Sequence, residues 1–489
     1  MRKAGILMHI SSLPSAYGIG TLGKEAYKFV DFLKKAGQSY WQVLPVCPTS
    51  YGDSPYQSNS AFAGNPYFID LDMLCEEGLL NKNEIENYYF GDNPVEVNYK
   101  RLFDNRYPVL RKAFSRFEKR DDYYQFENEN GFWLDDYALF MAIKEHHHFR
   151  CWLYWDEDIR LCRQDAVEHY REMHARNIEF YKFIQYLFYK QWNNLKRYAN
   201  ENGIKIIGDM PIYVALDSAE VWRTPELFEL DDMRLPKRVA GCPPDAFSDK
   251  GQLWGNPLYN WELMENQGFD WWIKRIRASF KLYDKVRIDH FRGFEAYYAI
   301  PYGREDAIVG EWVKGPGMKL FNSVKAALGD VDIIAEDLGY LTEDVHRLLR
   351  ESGYPGMRVL QFAFSPYEDN MYLPHNLTPN SVAYTGTHDN DTFTGYYIST
   401  KGKEREFVNA YLGVKRKTEA AYAAIRTLMA SCSETVIVPI QDYLKKESES
   451  RMNTPSTVGG NWLYRVLKTD ISDELASVIY DITSTFRRI

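Results

Sequence analysis

The sequence predicts an α/β fold, a (β/α)8 TIM barrel with large, mostly helical insertions between barrel strands and no C-terminal β-sandwich domain. Three observations lead there. Eight short apolar runs, each ending in polar or charged residues, recur along the 489 residues, and eight is the number of strands a closed parallel barrel needs. The runs are continuously apolar rather than alternating, which is how strands buried on both faces read. Amphipathic stretches lie between several of them, giving a βαβα order.

In chain order the runs are Gly5–His9, Tyr40–Pro45, Ile204–Asp209, Lys285–Asp289, Asp332–Asp337, Arg358–Phe362, Val382–Thr385 and Thr435–Ile440. Lys24–Ala36 is the first amphipathic stretch, with Ala26, Phe29, Val30 and Leu33 on one face and Gly37 as its stop. Residues 46–203 then separate the second run from the third, far more chain than a barrel requires. Helix-like stretches such as Asn177–Tyr198 and many aromatics make residues 70–200 an inserted, mainly helical subdomain. The next connection, residues 211–283, holds Gly241-Cys242-Pro243-Pro244 and is too long for a plain loop, so it is expected to be functional. After the eighth run about 50 residues remain, too few for a β-sandwich of about 100 residues. Residues 1–489 therefore read as a single catalytic barrel with two insertions.

Composition narrows the function classes. Hydrophobic residues at 45% and charged residues at 26% are globular values that exclude a disordered or fibrous chain. With 68 Asp and Glu against 59 Lys and Arg, the net charge of −9 gives no footprint for nucleic acid or an anionic membrane. Cys47, Cys75, Cys151, Cys162, Cys242 and Cys432 form no C-x-x-C pair, so neither a zinc site nor a disulfide framework is indicated, and a reducing, cytoplasmic setting is expected. The apolar stretch Ala4–Met8 is too short for a signal-peptide core, and no window approaches 18 apolar residues, so no membrane span is expected. The 37 Tyr, 27 Phe and 12 Trp are mostly core, although some are free to serve as stacking platforms for a ligand.

Two motifs weigh little. Gly18-Ile19-Gly20-Thr21-Leu22-Gly23 matches a dinucleotide fingerprint, but Ser11–Tyr17 intervenes after the first run, and a tight turn before a helix explains the glycines. His146-His147-His148, His169 and His174 lack the i, i+4 spacing of a helical metal site and read as solvated helix ends. The informative set is Asp289 in Arg287-Ile288-Asp289-His290, Glu336 in Ala335-Glu336-Asp337-Leu338-Gly339, and Asp389 in Thr387-His388-Asp389-Asn390-Asp391. All three stand at or after the C-terminal ends of strand candidates, the rim where a parallel barrel builds its active site. Paired carboxylates of this kind suit glycoside cleavage, one ionised as nucleophile and one protonated as acid. Strand-end ion pairs, with Arg287 and Arg292 as partners of Asp289, and a divalent cation shared by the three carboxylates remain open alternatives.

These residues resemble the 4-α-glucanotransferases (amylomaltases, disproportionating enzymes) of glycoside hydrolase family 77 in the α-amylase clan. The matching blocks are His9–Ser15, Gly52–Gln57, Gly208–Tyr213, Gly251–Pro257, Arg287–Phe294, Ala335–Gly339, Gly386–Thr392 and Gly460–Trp462. The resemblance implies Asp289 as nucleophile, Glu336 as general acid and base, and Asp389 as the third carboxylate, holding sugar hydroxyls. It implies that Arg287 keeps Asp289 ionised, that His290 and His388 contact sugar hydroxyls, and that Tyr56 stacks on a sugar. By the same token Gln252 and Trp254, in the loop Gly251–Gly255, cover the acceptor side, and Asp209 and Asn461 lie near the cleft. For Tyr56 and Trp254 plain core packing is the alternative.

The implied activity moves a segment of an α-1,4-glucan to the 4-hydroxyl of glucose or another glucan. Maltooligosaccharides, glycogen- or starch-type α-1,4-glucan and glucose would be the partners, with no cofactor and no metal. An α-amylase-type hydrolase with the same carboxylates and a catalytically silent glucan-binding barrel are the rivals. One departure stands out: the family commonly has Gly after the proline of Asn453-Thr454-Pro455, where this chain has Ser456. If that position needs φ > 0, serine carries strain there.

Overall fold

The computed structural model describes residues 2–244, 248–339 and 341–489. Its centre is a closed barrel of eight parallel strands: β1 (Lys3–Leu7), β2 (Tyr40–Gln42), β3 (Lys205–Met210), β4 (Lys285–Ile288), β5 (Ile333–Ala335), β6 (Gly356–Val359), β7 (Ser381–Tyr384) and β8 (Thr435–Pro439). Each pairs with its chain neighbours, and β8 closes on β1 from Lys3↔Thr435 to Leu7↔Pro439. The strands are largely buried on both sides because one side fills the barrel and the other meets helices, with charged residues such as Asp209 and Arg287 paired where they are buried. In β4, β5, β7 and β8 every residue is buried.

Every apolar run overlaps a strand, but the sixth is displaced. Only Arg358 and Val359 of Arg358–Phe362 belong to β6, and Leu360–Phe362 is a 3-10 turn. The strand starts earlier, at Gly356, a residue with no apolar signature. A Cβ there would stand 2.5 Å from an Asp337 carboxylate oxygen, and that carboxylate accepts a hydrogen bond from Met357 N at 2.6 Å. The glycine makes room for the acid.

The glycines at 18–23 form the turn that precedes the helix Lys24–Lys35. A Cβ at Gly20 would lie 1.8 Å from the Ile10 carbonyl oxygen, so close approach of two backbones accounts for that residue.

Between β2 and β3 the regular elements from residue 71 onward are helical, the longest being Asp121–His146 and Ala175–Glu201. These two pack through rings, among them Phe126 and Trp133 against Tyr189 at 5.4 and 5.8 Å. Ala175–Glu201 also binds the chain leaving β2. Gln185 accepts from Gly64 N at 2.7 Å and donates to its carbonyl at 2.9 Å, and Gln191 makes the same pair with Asp70 at 2.7 and 3.2 Å.

The connection after β3 contains two strands, Arg238–Cys242 and Gln252–Pro257; residues 245–247 lie outside the described residues. With Ala296–Pro301 and Glu311–Lys314 they form a four-stranded antiparallel sheet in the order 252–257, 238–242, 296–301, 311–314. A second sheet was no part of the sequence reading. Among the described residues no helix is long and apolar enough to cross a membrane.

Gln185→Leu leaves the buried N–H and C=O of Gly64 unpaired, at about 1–3 kcal/mol for each. A lower melting temperature, with maltotriose KM unchanged in the surviving fold, is the expected outcome of calorimetry and steady-state kinetics.

Candidate active site

Side chains two apart on a strand point the same way, so Arg287 and Asp289 share one side of β4. Register sets Arg287 beside Asp209 of β3. Its Nη1 donates to both Asp209 oxygens at 2.7 Å, and its Nη2 to Asp289 Oδ1 at 2.8 Å. Tyr56 Oη donates to Asp209 Oδ2 at 2.8 Å. Asp209 has a fully buried side chain and Arg287 a nearly buried one, whereas the Asp289 side chain is 29% exposed. The acid at the end of β3 thus lies beneath the pocket and holds Arg287 and Tyr56.

Glu336 follows β5. Its Oε2 accepts from His290 N at 2.7 Å and its Oε1 from Leu338 N at 2.8 Å. The backbone stitches the same segments together, through Glu336 N to the Ile288 carbonyl and Phe291 N to the Glu336 carbonyl, both at 3.0 Å. His290 donates from a left-handed conformation, φ 51°, which is costly for a histidine and marks a strained turn at the site.

Burial raises the Glu336 carboxyl to about 7, the Asp289 charge adds to this, and Arg287 and the two N–H groups oppose it. Burial also raises Asp289, with Asp209 and Asp389 adding and Arg287 opposing. Of the two, Asp289 has the guanidinium in direct contact, while Glu336 has no Lys or Arg ion pair among the described residues. The proton therefore resides on Glu336.

Asp389 lies in the loop after β7. Its Oδ1 accepts from Asn453 Nδ2 at 2.7 Å, and its carbonyl from Arg451 Nη2 at 2.5 Å. Arg451 Nε also binds the Asn453 carbonyl at 2.7 Å. The ring of His388 stacks on Tyr56, centroids 5.1 Å apart and planes 15° apart, and Trp462 lies 5.8 Å from both. Those distances form a triangle, so none of the three rings is sandwiched between the others.

On the acid side, Trp254 stands edge-on to His290 at 4.8 Å, and its Nε1 donates to Gln252 Oε1 at 3.2 Å. Among the described residues, His290 Nε2 is buried without a partner. Burial, helped by Arg292, lowers this imidazole to about 3, so it is neutral at physiological pH.

The predicted residues thus fall into two linked groups, Tyr56, Asp209, Arg287, Asp289, His388 and Asp389, and Glu336, His290, Trp254 and Gln252. Asn461 joins neither directly. Its Oδ1 accepts from Thr454 N at 3.0 Å, and its Nδ2 donates to Thr457 Oγ1 at 3.0 Å, bracing the loop that presents Asn453. In that loop Ser456 has φ 63°, the conformation glycine would take without strain. Sequence reasoning missed Asn453, Arg451 and Trp462. Two of them were inside or beside quoted motifs, but no pattern tied them to Asp389 or Tyr56.

The histidines need a correction. His146 ends a helix and is exposed, but His147 and His174, which cap helices, are only half-exposed and pack on other rings. The His146 and His174 ring centroids are 4.9 Å apart, His147 stacks on Trp155 at 5.4 Å, and the Nε2 atoms of His147 and His174 are buried with no hydrogen-bond partner among the described residues. Among the described residues no group of three or more His, Cys, Asp or Glu is placed to hold a metal ion.

A parallel barrel whose rim holds an Arg-bound carboxylate near a second, buried carboxyl has the arrangement that two-carboxylate glycoside chemistry uses. Residues 8–469 match the family described as 4-alpha-glucanotransferase, and the chain belongs to that family, glycoside hydrolase family 77. It is 51% identical to the 4-alpha-glucanotransferase of Clostridium butyricum over 485 residues, 98% of this chain and 100% of that one. The relative from Thermus thermophilus is 46% identical, over 97% of this chain and 96% of its own. Among solved structures, the amylomaltase from Streptococcus agalactiae in complex with acarbose superposes with a TM-score of 0.97, at 45% identity and full coverage of both chains.

Asp209→Asn removes one partner of a buried ion pair, a loss of about 3–5 kcal/mol. The expected result is a lower denaturation midpoint, with a smaller loss in Tyr56→Phe, which removes one hydrogen bond to the carboxylate and leaves the ion pair intact.

Proposed function

We propose that this chain disproportionates maltooligosaccharides by a retaining double displacement. Asp289 attacks the anomeric carbon of an α-1,4-glucan donor while protonated Glu336 delivers its proton to the departing glycosidic oxygen, leaving a β-linked glycosyl-enzyme. Glu336, now ionised, takes the proton from the 4-hydroxyl of an incoming glucose or glucan, and attack by that oxygen restores the α-bond. Asp389, His388 and neutral His290 bind ring hydroxyls, Asp389 favouring the oxocarbenium-like transition state. Arg287 holds Asp289 ionised and aimed, anchored by Asp209.

The observation that carries this reading is the split between the two acids, one raised to about 7 by burial and its neighbour's charge, the other held by Arg287. Donors would be maltooligosaccharides and glycogen- or starch-type glucan. The chemistry requires no cofactor, since one α-1,4 bond replaces another. Transfer rather than hydrolysis is supported by Trp254, which meets His290 edge-on and donates to Gln252, and which would shield the intermediate until a sugar arrives.

Incubation with maltotriose alone is expected to yield glucose and oligosaccharides longer than the substrate at a constant reducing-end count. A rising count would replace transferase by hydrolase. Asp289→Asn is expected to bind glucan but lose nearly all turnover, and Glu336→Gln to lose about 10²–10⁴-fold. Because the free enzyme needs Glu336 protonated, kcat/KM should fall as pH rises through about 7. That alkaline limb should be absent from the residual activity of Glu336→Gln on a glycosyl fluoride, whose leaving group needs no acid.

A further inference from the structure

Asp442 is a buried carboxylate that the reaction above does not use. It lies on the short helix Ile440–Tyr443 directly after β8, is 1% exposed, and has no Lys or Arg partner among the described residues. Burial pushes its carboxyl up to about 6, with Asp391 adding to the shift and hydrogen bonds from Thr385 and Phe393 opposing it. A buried acid without a cation is costly, so what it binds is informative.

Its Oδ2 accepts from Thr385 Oγ1 at 2.5 Å and its Oδ1 from Phe393 N at 2.7 Å. Thr385 is the first residue after β7, and Phe393 opens the helix Phe393–Ser399. Between them runs the loop 386–392, which carries His388 and Asp389. One carboxylate therefore ties both ends of that loop to the end of β8.

The loop's interior is held separately. Asn390 Oδ1 accepts from Thr387 N and Oγ1, both at 2.9 Å, and Gln361 Nε2 donates to the Asp391 carbonyl at 2.7 Å. Ser448 Oγ donates to Asp391 Oδ2 at 2.6 Å. Asp389 itself is gripped by Asn453 and Arg451, from the chain that continues beyond Asp442. Ends and grip thus share one frame.

We propose that Asp442 is a positioning residue that sets the placement of Asp389 by pinning both ends of loop 386–392. This rests on the role proposed for Asp389. An asparagine could preserve both contacts, its Oδ1 accepting from Phe393 N and its Nδ2 donating to the Thr385 hydroxyl, whereas alanine preserves neither.

The test is a set of steady-state measurements on maltotriose, with an α-maltosyl fluoride donor for the slow variants. Asp442→Ala is expected to lower kcat about 10²-fold with little change in KM, the scale set by displacing a reacting group on the order of an ångström. Asp442→Asn should stay within a few-fold of the unsubstituted enzyme. In an Asp389→Asn background Asp442→Ala should cost almost nothing more, because the group it positions is already disabled. An unchanged kcat in Asp442→Ala, or the same loss in both backgrounds, overturns the proposal. If Asp442→Ala does not fold, Thr385→Val, which removes one of the two bonds, takes its place in the same cycle with the same criterion. Full activity in Asp389→Asn alone would instead overturn the role of Asp389, a separate result.

Discussion

The guanidinium of Arg287 is the group on which the active site depends. It lies almost wholly out of water and binds two carboxylates of different standing, Nη1 reaching both oxygens of buried Asp209 and Nη2 one oxygen of Asp289, while Nε donates to Met357 Sδ. A buried arginine with one acid would be a structural pair. Here the buried partner fixes the plane of the guanidinium, and the partly exposed one receives a defined orientation and a fixed positive charge. Tyr56 joins the same unit through its hydroxyl, so the ring that stacks on His388 is positioned by the same ion pair. The electrostatic asymmetry between Asp289 and Glu336 follows, since one acid has the cation and the other only backbone N–H groups.

Much of this was legible in the sequence because a barrel turns linear patterns into geometry. Strands buried on both faces are rich in apolar residues, and all eight runs overlap one. Strand ends must gather on one rim, which is why acids distant in the chain, Asp289, Glu336 and Asp389, could be singled out together. What stayed hidden depends on contacts without periodicity. Gly356 opens β6 because an Asp337 carboxylate needs the space, and a lone glycine carries no strand signal. Asp209 reads as a rim acid from its place at a strand end; only the fold reveals that its side chain is sealed under Arg287. The bracing role of Asn461 and the grip of Asn453 and Arg451 on Asp389 depend on an irregular loop, where backbone angles such as φ 63° at Ser456 decide the outcome.

The four-stranded sheet escaped notice for a related reason. Its strands come from two different connections, and Arg238–Cys242 and Gln252–Pro257 contain glycine and proline, which disguise strands. Yet this sheet bears on the reaction. Gln252–Pro257 pairs with Arg238–Cys242, which pairs with Ala296–Pro301, and that strand directly follows the turn His290–Phe294 after Asp289. Trp254 is therefore linked by strand pairing to the segment that carries the proposed nucleophile, and by ring contact to His290.

That linkage bears on the balance between transfer and hydrolysis. A cover attached only by a flexible hinge opens as readily for water as for sugar, whereas one hydrogen-bonded into a sheet keeps its distance from the acid as the site fills and empties. His290 adds a second constraint, since its strained backbone N–H holds Glu336 while its ring meets Trp254. Moving Trp254 away from the acid would disturb the turn that orients the acid. The shielding proposed for Trp254 and the placement of Glu336 thus meet at one histidine, whose imidazole burial keeps neutral beside the carboxyl.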